Sequence, residues 1–427
     1  MRQMKDSGIE WIGMIPETWA IERMKGLFIE RNERDCKGRT LLSVSQYYGI
    51  RPKSETDIAD SHIAESYDDY KEVYKGDFVM NIMLAWNGSY AVSDYDGMVS
   101  PAYCVFKFRK DCCKKYFHYL LRTNGYPTAF KTMSRGVIDS RLRLYPEQFY
   151  TFPVIIPPIS DQQRIADYLD EKCGEIDSLI GLQEQMIEKL KAYKQSVITE
   201  AVTKGLNPNA KLVPSGIDWI GEIPEGWKVG RIKNVAGLFG RIGFRGYNSD
   251  DLNKEGVGAI TLSPSNMQPM DMDYSSVTYL SWEKYYESPE IMIQNGDLLY
   301  VKTGSSYGKV SYVHDLPREA TINPQILRIV PKIDNKFLGY FMQSTLCEYQ
   351  TKVGVVGGTI PTISQEKINN FWVLLPSKVE QQKISFYLDE KCADINYIIT
   401  LKQQKIESLK DYKKSVIYEA VTGKTEI

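Results

Sequence analysis

Apolar residues recur in alternating steps of three and four along a stretch of about forty residues, and this stretch occurs twice. The first copy runs from Gln162 to Thr203 and the second from Gln381 to Thr422, with about 26 of the 42 aligned positions identical. Such spacing is typical of an α-helix with one apolar face, and a sustained a/d seam is typical of a coiled coil. The pattern therefore predicts two long amphipathic helices.

The apolar seams of the two predicted helices match position by position. Polar residues interrupt both seams at the same places, Gln183 with Lys402 and Lys194 with Lys413, where they cost stability but can fix the register. Neither helix can bury its seam alone, so we expect the two, each about 60 Å long, to pair within the chain as an antiparallel coiled coil. The predicted seam is Leu169, Cys173, Ile176, Ile180, Ile187, Leu190, Val197 and Ala201, with Leu388, Cys392, Ile395, Ile399, Ile406, Leu409, Val416 and Ala420.

A second, shorter element is also repeated. Residues 7–19 read SGIEWIGMIPETW and residues 215–227 read SGIDWIGEIPEGW. Paired tryptophans are unusual in a plain flexible tether. We interpret each copy as a docking segment that fixes a linker to a surface, and the tether remains the alternative.

The two segments between the repeated elements correspond weakly and alternate between predicted strands, helices and glycine-containing turns. We therefore predict an α+β protein: two α/β domains separated by two long antiparallel helices, in a circular, pseudo-two-fold arrangement. In that arrangement the C-terminus of the second helix returns to the N-terminal tryptophan segment. The predicted boundaries are a docking segment at 1–19, a domain at 20–157, a helix at 158–205, a linker and docking segment at 206–227, a domain at 228–376 and a helix at 377–427.

Composition and charge narrow the class of protein. Hydrophobic residues make up 43% of the chain and no apolar run is long enough to span a bilayer. The N-terminus lacks the apolar core of a signal peptide, so a cytoplasmic location with no membrane partner is expected. A net charge of −1 is unusual for a nucleic-acid binder. Any such function must rest on local patches or on a partner's charge.

Motifs for catalysis or for metal and cofactor binding are not evident. The sequence Gly304-Ser-Ser-Tyr-Gly308-Lys309-Val310 resembles a phosphate loop, but it has three residues between its glycines and valine in place of the hydroxyl residue. The seven cysteines and three histidines follow no metal-ligand spacing. We therefore expect no catalytic residue, no metal and no cofactor on this chain.

Both domains do contain polar loops that are interleaved with aromatic residues. Lys, Ser, Thr and glycine amides suit phosphates, whereas Asn, Gln and Arg can read base edges. The alternative is a set of solvated hairpin turns. The candidate DNA contacts, chosen where the loops of the two halves match, are Trp86, Asn87, Ser100, Arg135 and Arg141 in the first domain and Lys302, Ser305, Ser306, Tyr307, Lys309, Asn323, Gln325 and Thr359 in the second.

Taken together, these motifs resemble one protein family over essentially the whole chain. They are the doubled SGI(E/D)WIGxIPExW segment, the openings Asp161-Gln-Gln and Glu380-Gln-Gln of the long helices, and the ending KSVIYEAVTGK. GDLLYVKTGSSYGKV, ATINPQ and GGTIPTIS add to the likeness. The chain resembles the specificity subunit of a type I restriction–modification system.

This resemblance implies a specific division of labour. The domains at 20–157 and 228–376 would be target-recognition domains, each reading half of an asymmetric bipartite sequence in double-stranded DNA, with half-sites about one helical turn apart. The long helices would be the spacer and would dock two modification subunits. S-adenosylmethionine would be bound by those subunits, and restriction subunits would bring the ATP- and magnesium-dependent translocase and nuclease. This chain would itself be non-catalytic.

Three other functions remain open from the residues alone. One is a DNA-independent scaffold that presents two modules on a coiled-coil rod. Another is a specificity module of a different restriction–modification class. The third is a nucleotide-binding enzyme that would use Gly304 to Lys309.

Overall fold

The computed structural model describes residues 2–34, 38–55, 67–138, 141–357 and 360–427 of the 427-residue chain. The chain divides into two compact units. Unit 1 contains Met1–Gln183 together with Gln404–Ile427, and unit 2 contains Glu184–Gln403. The sequence boundaries separated the long helices from the domains. The compact units instead divide each helix near its middle, because each half packs on a different globular body.

Within the described residues the chain alternates short strands with short helices, and two of its helices are far longer than the rest. The strands are β1 Met4–Asp6, β2 Met14–Pro16, β3 Ala20–Arg23, β4 Phe28–Arg31, β5 Leu42–Ser45, β6 Gly49–Pro52, β7 Lys71–Val73, β8 Phe78–Asn81, β9 Tyr90–Val92, β10 Gly97–Val99, β11 Tyr103–Phe108, β12 Pro153–Ile156, β13 Leu212–Pro214, β14 Glu222–Pro224, β15 Lys228–Arg231, β16 Ala236–Gly240, β17 Leu252–Asn253, β18 Ala259–Leu262, β19 Met267–Gln268, β20 Asp271–Met272, β21 Thr278–Leu280, β22 Leu298–Val301, β23 Val310–Tyr312, β24 Ala320–Ile322, β25 Ile326–Pro331 and β26 Trp372–Leu375. The α-helices are α1 Met24–Leu27, α2 Lys114–Leu121, α3 Gly125–Met133, α4 Pro146–Phe149, α5 Ile159–Lys204, α6 Ile232–Val235, α7 Trp282–Tyr286, α8 Asn335–Gln343, α9 Thr345–Gly354, α10 Gln365–Asn369 and α11 Lys378–Val421.

Unit 1 is built on an antiparallel sheet with strand order β4-β11-β8-β9. Its buried face carries an aromatic cluster in which Phe78 stacks on Phe149 with ring centroids 5.7 Å apart, and Phe28 and Phe106 pack around them. Aromatic rings bury large apolar areas and prefer such offset contacts. The β5-β6 and β7-β10 ribbons cover a second, smaller core that includes Leu42, Val79 and Val105.

Unit 2 repeats this sheet as β16-β25-β22-β23. Tyr300, Ile329, Phe337 and Phe341 fill the corresponding core between the sheet and α8. The accessory structure differs, because unit 2 has a sheet with order β17-β21-β18-β24, in which β18 and β24 are parallel. The two units therefore share a central sheet and differ in what surrounds it.

The long helices pair in antiparallel fashion within each unit, which confirms the predicted fold class. In unit 1 Lys413 of α11 donates to Asp177 of α5 at 2.7 Å, and Leu169 shares a core with Val421. In unit 2 Lys194 of α5 donates to Asn396 of α11 at 2.9 Å. Under the sequence repeat these are the same contact, so Lys194 and Lys413 are each paired across the two helices.

The predicted seam is buried along most of its length. The fully buried members are Leu169, Cys173, Ile176, Ile187, Ala201, Leu388, Cys392, Ile395, Ile406, Leu409 and Ala420, and the half-buried ones are Ile180, Leu190, Val197, Ile399 and Val416. At the end of α5 the buried face shifts by one residue, to Ile198 and Val202. The shift follows from the packing of this part of α5 against the globular core of unit 2.

Both docking segments lie against the start of a long helix. The Trp19 indole donates to Asp161 at 3.2 Å in unit 1, and the Trp227 indole donates to Glu380 at 3.1 Å in unit 2. In unit 1 the Tyr418 hydroxyl of α11 also donates to the Trp11 carbonyl at 3.2 Å. The C-terminal helix thus returns to the N-terminal segment, as the circular arrangement requires.

The second long helix is shorter than the predicted 377–427. It ends at Val421, and Gly423 then adopts φ +70, a left-handed conformation typical of a helix C-terminus. A Cβ at Gly423 would lie 2.9 Å from the Trp19 ring. The chain can therefore leave the helix and remain against the docking segment only with glycine at this position.

A substitution in the buried seam should separate packing from surface effects. We expect Leu169→Ala to lower the free energy of unfolding by about 2–5 kcal/mol, because Leu169 is fully buried. Leu179→Ala, on the same helix but exposed, should change it by less than about 0.5 kcal/mol. Urea denaturation of the full-length chain measures both, and equal effects would contradict the assigned seam.

His118 makes unit 1 sensitive to acid. Its Nδ1 accepts from the Val92 amide at 3.4 Å, and burial, aided by the charges of Arg122 and Lys115, lowers its pKa from 6.5 to about 3. The unfolded chain therefore takes up a proton that the folded chain refuses, and stability is lost as pH falls from 6.5 towards 3. His118→Gln should flatten this acid-side loss.

The half-buried His314 provides a control of opposite sign. Its hydrogen bonds to Asp315 and Asp271 raise its pKa, so it stabilises the protonated fold at low pH. His314→Gln should therefore make the loss of unfolding free energy on acidification slightly steeper. Unfolding midpoints measured at a series of pH values report both variants, and identical acid slopes for wild type and His118→Gln would refute the assignment.

Candidate nucleic-acid interface

Three segments of unit 2 meet at the end of β22. They are the loop at 302–309, the turn at 322–326 and the hairpin at 355–363, of which residues 358 and 359 lie outside the described part of the chain. The Lys302 amide donates to the Gln325 carbonyl at 2.8 Å, and the Lys302 carbonyl accepts from the Ile363 amide at 2.9 Å. The Gly304 amide also donates to the Pro361 carbonyl at 3.1 Å. Backbone hydrogen bonds therefore hold the three segments together as one corner, which we call the reading corner.

Unit 1 forms the same reading corner at the end of β8. The Ile82 amide donates to the Ala102 carbonyl and the Ile82 carbonyl accepts from the Leu144 amide, both at 3.0 Å. Ile82 thus occupies the place of Lys302. The corner of unit 1 consists of the loop at 82–89, the turn at 99–103 and the hairpin at 135–143, of which residues 139 and 140 lie outside the described part of the chain.

In unit 1 all five predicted contacts lie on these segments. Trp86 and Asn87 are half-buried in the loop, and Lys131 lies over the Trp86 ring at 5.1 Å. Ser100 is half-buried in the turn, where its carbonyl accepts from the Tyr103 amide. The two arginines are exposed on the hairpin.

The hairpin places its arginines by backbone pairing. Arg135 and Arg143 exchange two backbone hydrogen bonds of 2.9 Å, and the Arg141 amide donates to the Ile138 carbonyl at 2.8 Å. Gly136 has φ +147, and a Cβ there would lie 2.5 Å from the Arg141 carbonyl oxygen. Glycine at this position is thus what allows the two arms of the hairpin to approach.

In unit 2 the predicted residues also occupy the corner. Lys302 is half-buried and Ser305 is exposed in the loop, and Gln325 is exposed in the turn. The remaining loop residues, Ser306, Tyr307 and Lys309, are half-buried. Thr359 lies outside the described residues.

Two predicted contacts instead use side-chain atoms to shape the loops. The Asn323 carboxamide oxygen accepts from the Gln325 amide at 3.0 Å and its nitrogen donates to the Gln325 side chain at 3.2 Å. The Asn87 carboxamide oxygen accepts from the Ser89 hydroxyl at 2.7 Å. The bond from the Gln325 amide to Asn323, and a further bond of 3.2 Å from the Ser89 amide to the Asn87 oxygen, form Asx-type turns, which Asn favours for local reasons. In this structure both amides position their neighbours.

The loop that resembles a phosphate loop connects two strands. Residues 302–309 close a hairpin between β22 and β23, with the Gly308 amide donating to the Val301 carbonyl at 2.8 Å. A nucleotide phosphate loop leads from a strand into a helix whose N-terminus binds the anion. The segment Gly304–Lys309 has no such helix, so the geometry does not support the nucleotide-binding alternative.

The sequence did not single out the β5-β6 hairpin, which reaches the corner of unit 1. Tyr47 at its tip is 85% exposed, and a Cβ at Gly88 would lie 3.8 Å from Gln46. Arg122 holds this tip by donating to the Gln46 carbonyl, and it donates to the Tyr90 carbonyl at 2.8 Å. Two adjacent tyrosines before Gly49, followed by Arg51, were the available signal.

Positive charge at the corner is partly desolvated. Burial lowers the pKa of Lys302 and of Arg241, the residue that follows β16. Burial likewise lowers the pKa of Arg122. In contrast, Arg328 pairs with Asp297 at 2.7 Å and Arg31 pairs with Asp77 at 2.8 Å.

The part of the chain that the structure describes has no helix whose length and hydropathy would let it cross a lipid bilayer.

Comparison with known proteins places this geometry in a family. The family described as "Type I restriction modification DNA specificity domain" matches residues 16–192 and 224–410. The MjaVIII specificity subunit of a type I restriction enzyme from Methanocaldococcus jannaschii is 23% identical over 430 residues, with 97% of this chain and 94% of that protein covered. The EcoBI specificity subunit from Escherichia coli is 22% identical over 362 residues, covering 82% of this chain and 74% of the relative.

Solved structures share the fold. A chain from work on complex assembly and conformational transition of the type I R-M system superposes with a TM-score of 0.70 at 16% identity, covering 96% of this chain and 99% of the other. The HsdS subunit from Thermoanaerobacter tengcongensis gives a TM-score of 0.50, also at 16% identity, with 96% and 98% covered. Because the family match extends over both units and nearly the whole chain, this protein belongs to the type I restriction modification DNA specificity family.

Proposed function

We propose that each unit reads one half of an asymmetric, bipartite target in double-stranded DNA. The chain is a specificity subunit of a type I restriction–modification system and is non-catalytic. The observation that carries the proposal is the reading corner, which recurs in both units with the same backbone bonds through Ile82 and through Lys302. A rigid strand end that holds exposed polar loops is suited to insertion into a DNA groove.

The asymmetry of the target is supported by the side chains at the two corners. Unit 1 presents exposed Arg135 and Arg141 with the half-buried Trp86, whereas unit 2 presents Ser305 and Gln325. Arginine bonds bidentately to guanine, and glutamine to adenine. Corners with equal backbones and unlike side chains favour unlike half-sites.

Partner subunits complete the proposed complex. The chain carries 53 Lys and Arg against 54 Asp and Glu, so it has no excess of positive charge to neutralise many phosphates. We propose that two modification subunits supply much of that charge and bind S-adenosylmethionine. Restriction subunits would then add ATP- and magnesium-dependent translocation and cleavage. No cofactor is assigned to this chain.

An apolar patch that occurs once in each unit supports the proposal that two modification subunits bind to the chain. In unit 1 it consists of Leu179 and Leu182 of α5 with Tyr412 of α11. The Lys413–Asp177 bond places Tyr412 at the level of Leu179.

The patch of unit 2 is the repeat-related set Ile398 and Leu401 of α11 with Tyr193 of α5. Tyr412 is 58% exposed and Tyr193 is 57% exposed. Exposed apolar patches of this kind mark interaction surfaces. Since the same patch occurs twice, one kind of partner can dock twice.

The reading function is tested by altering one half of the target. Methylome sequencing of a host with and without this chain identifies the target motif. The affinity of the complex with modification subunits is then measured for duplexes altered in either half of that motif. We expect Arg141→Ala to weaken binding about 10-fold or more and to relax discrimination in one half-site only, because one base-edge arginine contributes about 1–3 kcal/mol.

Arg23→Ala is the matched control for Arg141→Ala. Arg23 is exposed on β3, which pairs with β12 and contributes nothing to the reading corner. Loss of the Arg23 side chain should leave binding and discrimination unchanged at both half-sites. Relaxed discrimination in both halves for Arg141→Ala would contradict the assignment of one unit to one half-site.

The stoichiometry is tested by placing a charge on one patch. Leu401→Glu should reduce the modification subunits bound per chain from two to one, because a carboxylate is expensive to bury in an apolar contact. Leu182→Glu should do the same, and the double variant should bind none. Native mass spectrometry counts the subunits, and Tyr286→Glu, an exposed site on α7, is the control. Two bound subunits in the double variant would exclude the patches as docking sites.

A further inference from the structure

A buried guanidinium lies beside the Ile322–Ile326 turn of unit 2. Arg241 is 5% exposed, and all of its hydrogen bonds go to neutral acceptors. Its Nε donates to the Ile322 carbonyl at 3.1 Å, one terminal nitrogen donates to the Arg245 carbonyl at 3.2 Å, and the other donates to the Thr321 hydroxyl at 3.1 Å. The charge is therefore held in place without a hydrogen-bonded carboxylate among the described residues, and the Tyr247 ring lies 5.2 Å from the guanidinium carbon.

The ammonium of Lys302 lies on the same corner. Its backbone amide is bonded to Gln325, and a Cβ at Gly240, the residue before Arg241, would lie 3.7 Å from Lys302 Nζ. Over the ranges 2–34, 38–55, 67–138, 141–357 and 360–427, no side chain or carbonyl forms an ion pair or hydrogen bond with this ammonium. Lys302 is half-buried, so it has lost water without gaining an anion.

At the other end of the same strand a half-buried cation is paired with a carboxylate. Asp297 directly precedes β22 and pairs with Arg328 at 2.7 Å, whereas Lys302 directly follows β22. Unit 1 shows the same contrast, since Arg31 is paired with Asp77 and Arg122 donates only to carbonyls. Cations without a paired carboxylate are thus found where the loops of the corner meet.

A desolvated cation without a partner is unfavourable in the free protein and favours any anion that can approach it. Lysine offers a compact charge with rotatable donors, which suits a single phosphate oxygen. Three of the five N–H donors of Arg241 are already committed and the side chain is buried, so this residue can act by its field and by fixing the turn.

We propose that Lys302 and Arg241 form a seat for one phosphodiester of the DNA backbone in the half-site read by unit 2. Lys302 contacts the phosphate, and Arg241 is a positioning residue that holds the turn carrying Gln325 and adds its charge. This inference rests on the proposed reading function of unit 2. Unit 1 has Ile82 in place of Lys302, so the seat belongs to one half-site only.

If the seat exists, the Lys302→Met variant should keep its thermal stability but lose DNA affinity and part of its salt dependence, measured in the complex with modification subunits. The melting temperature should stay equal or rise, because an unpaired desolvated charge is removed. DNA affinity at low salt should fall about tenfold, as expected for a lost hydrogen bond between charged groups. The plot of log affinity against log salt concentration should become less steep by roughly 0.9, the value expected for one lost phosphate contact.

Lys336→Met is the matched control in the same unit. Lys336 is paired with Asp389 at 2.6 Å and lies on α8, away from the reading corner. Its loss should leave DNA affinity and the salt slope unchanged. A drop in affinity equal to that of Lys302→Met would show a general charge effect and overturn the seat.

Neutral methylphosphonate linkages locate the phosphate. Introduced one at a time along the target, one linkage in the half-site read by unit 2 should weaken binding of the wild type and have no further effect on Lys302→Met. For Arg241, the Gln variant should lose affinity and salt slope, whereas Arg241→Lys should recover the slope because the charge is retained. Equal salt slopes for Arg241→Gln and Arg241→Lys would show that Arg241 has only a structural role and adds no charge to the seat.

The outcomes separate the seat from the reading function. If Lys302→Met keeps the wild-type affinity, salt slope and methylphosphonate profile, the seat is wrong. The reading function then stands as long as the wild-type complex still discriminates targets altered in the half read by unit 2. If the wild-type complex shows no such discrimination, the reading function is wrong and the seat falls with it.

Discussion

The antiparallel pairing of the two long helices determines how the other elements of each unit are arranged. An apolar stripe on a helix of 46 or 44 residues must be covered, and in each unit half of one helix covers half of the other. The seam lysines fix the register, through Lys413 with Asp177 in unit 1 and Lys194 with Asn396 in unit 2. The helix starts are then fixed by Trp19 and Trp227, whose indoles bond to Asp161 and Glu380.

Since the helices and docking segments are duplicated, the loops are free to differ. The reading corner is held by backbone bonds through Ile82 in one unit and Lys302 in the other, and these bonds do not depend on the side chain. The exposed residues of the corner, such as Arg141 and Gln325, can therefore change without disturbing the sheet beneath them. A specificity subunit requires this separation, because its scaffold must stay constant while its target varies.

The chain's charge is distributed in keeping with that function. A net charge of −1 gives no general attraction to DNA. Half-buried arginines near the base of the sheets are paired with Asp77 and Asp297, while Arg241 and Lys302 at the corner of unit 2 have no paired carboxylate among the described residues. Local uncompensated charge can favour a phosphate at one place without making the whole surface bind nucleic acid.

Periodicity and internal repetition are properties of the chain alone, so the amino-acid order was enough to predict the helices, their seam and the duplicated plan. Leu169, Leu388 and the paired tryptophans could be assigned on that basis, and the matched loops lie at equivalent strand ends in the two units. The division of each helix between the two units, and the shift of the buried face to Ile198 and Val202, became visible only in the folded chain. The tertiary structure also showed that Asn323 shapes its turn, and that Arg241 is buried without a carboxylate. These features depend on which residues meet across long sequence separations, and no local pattern records that.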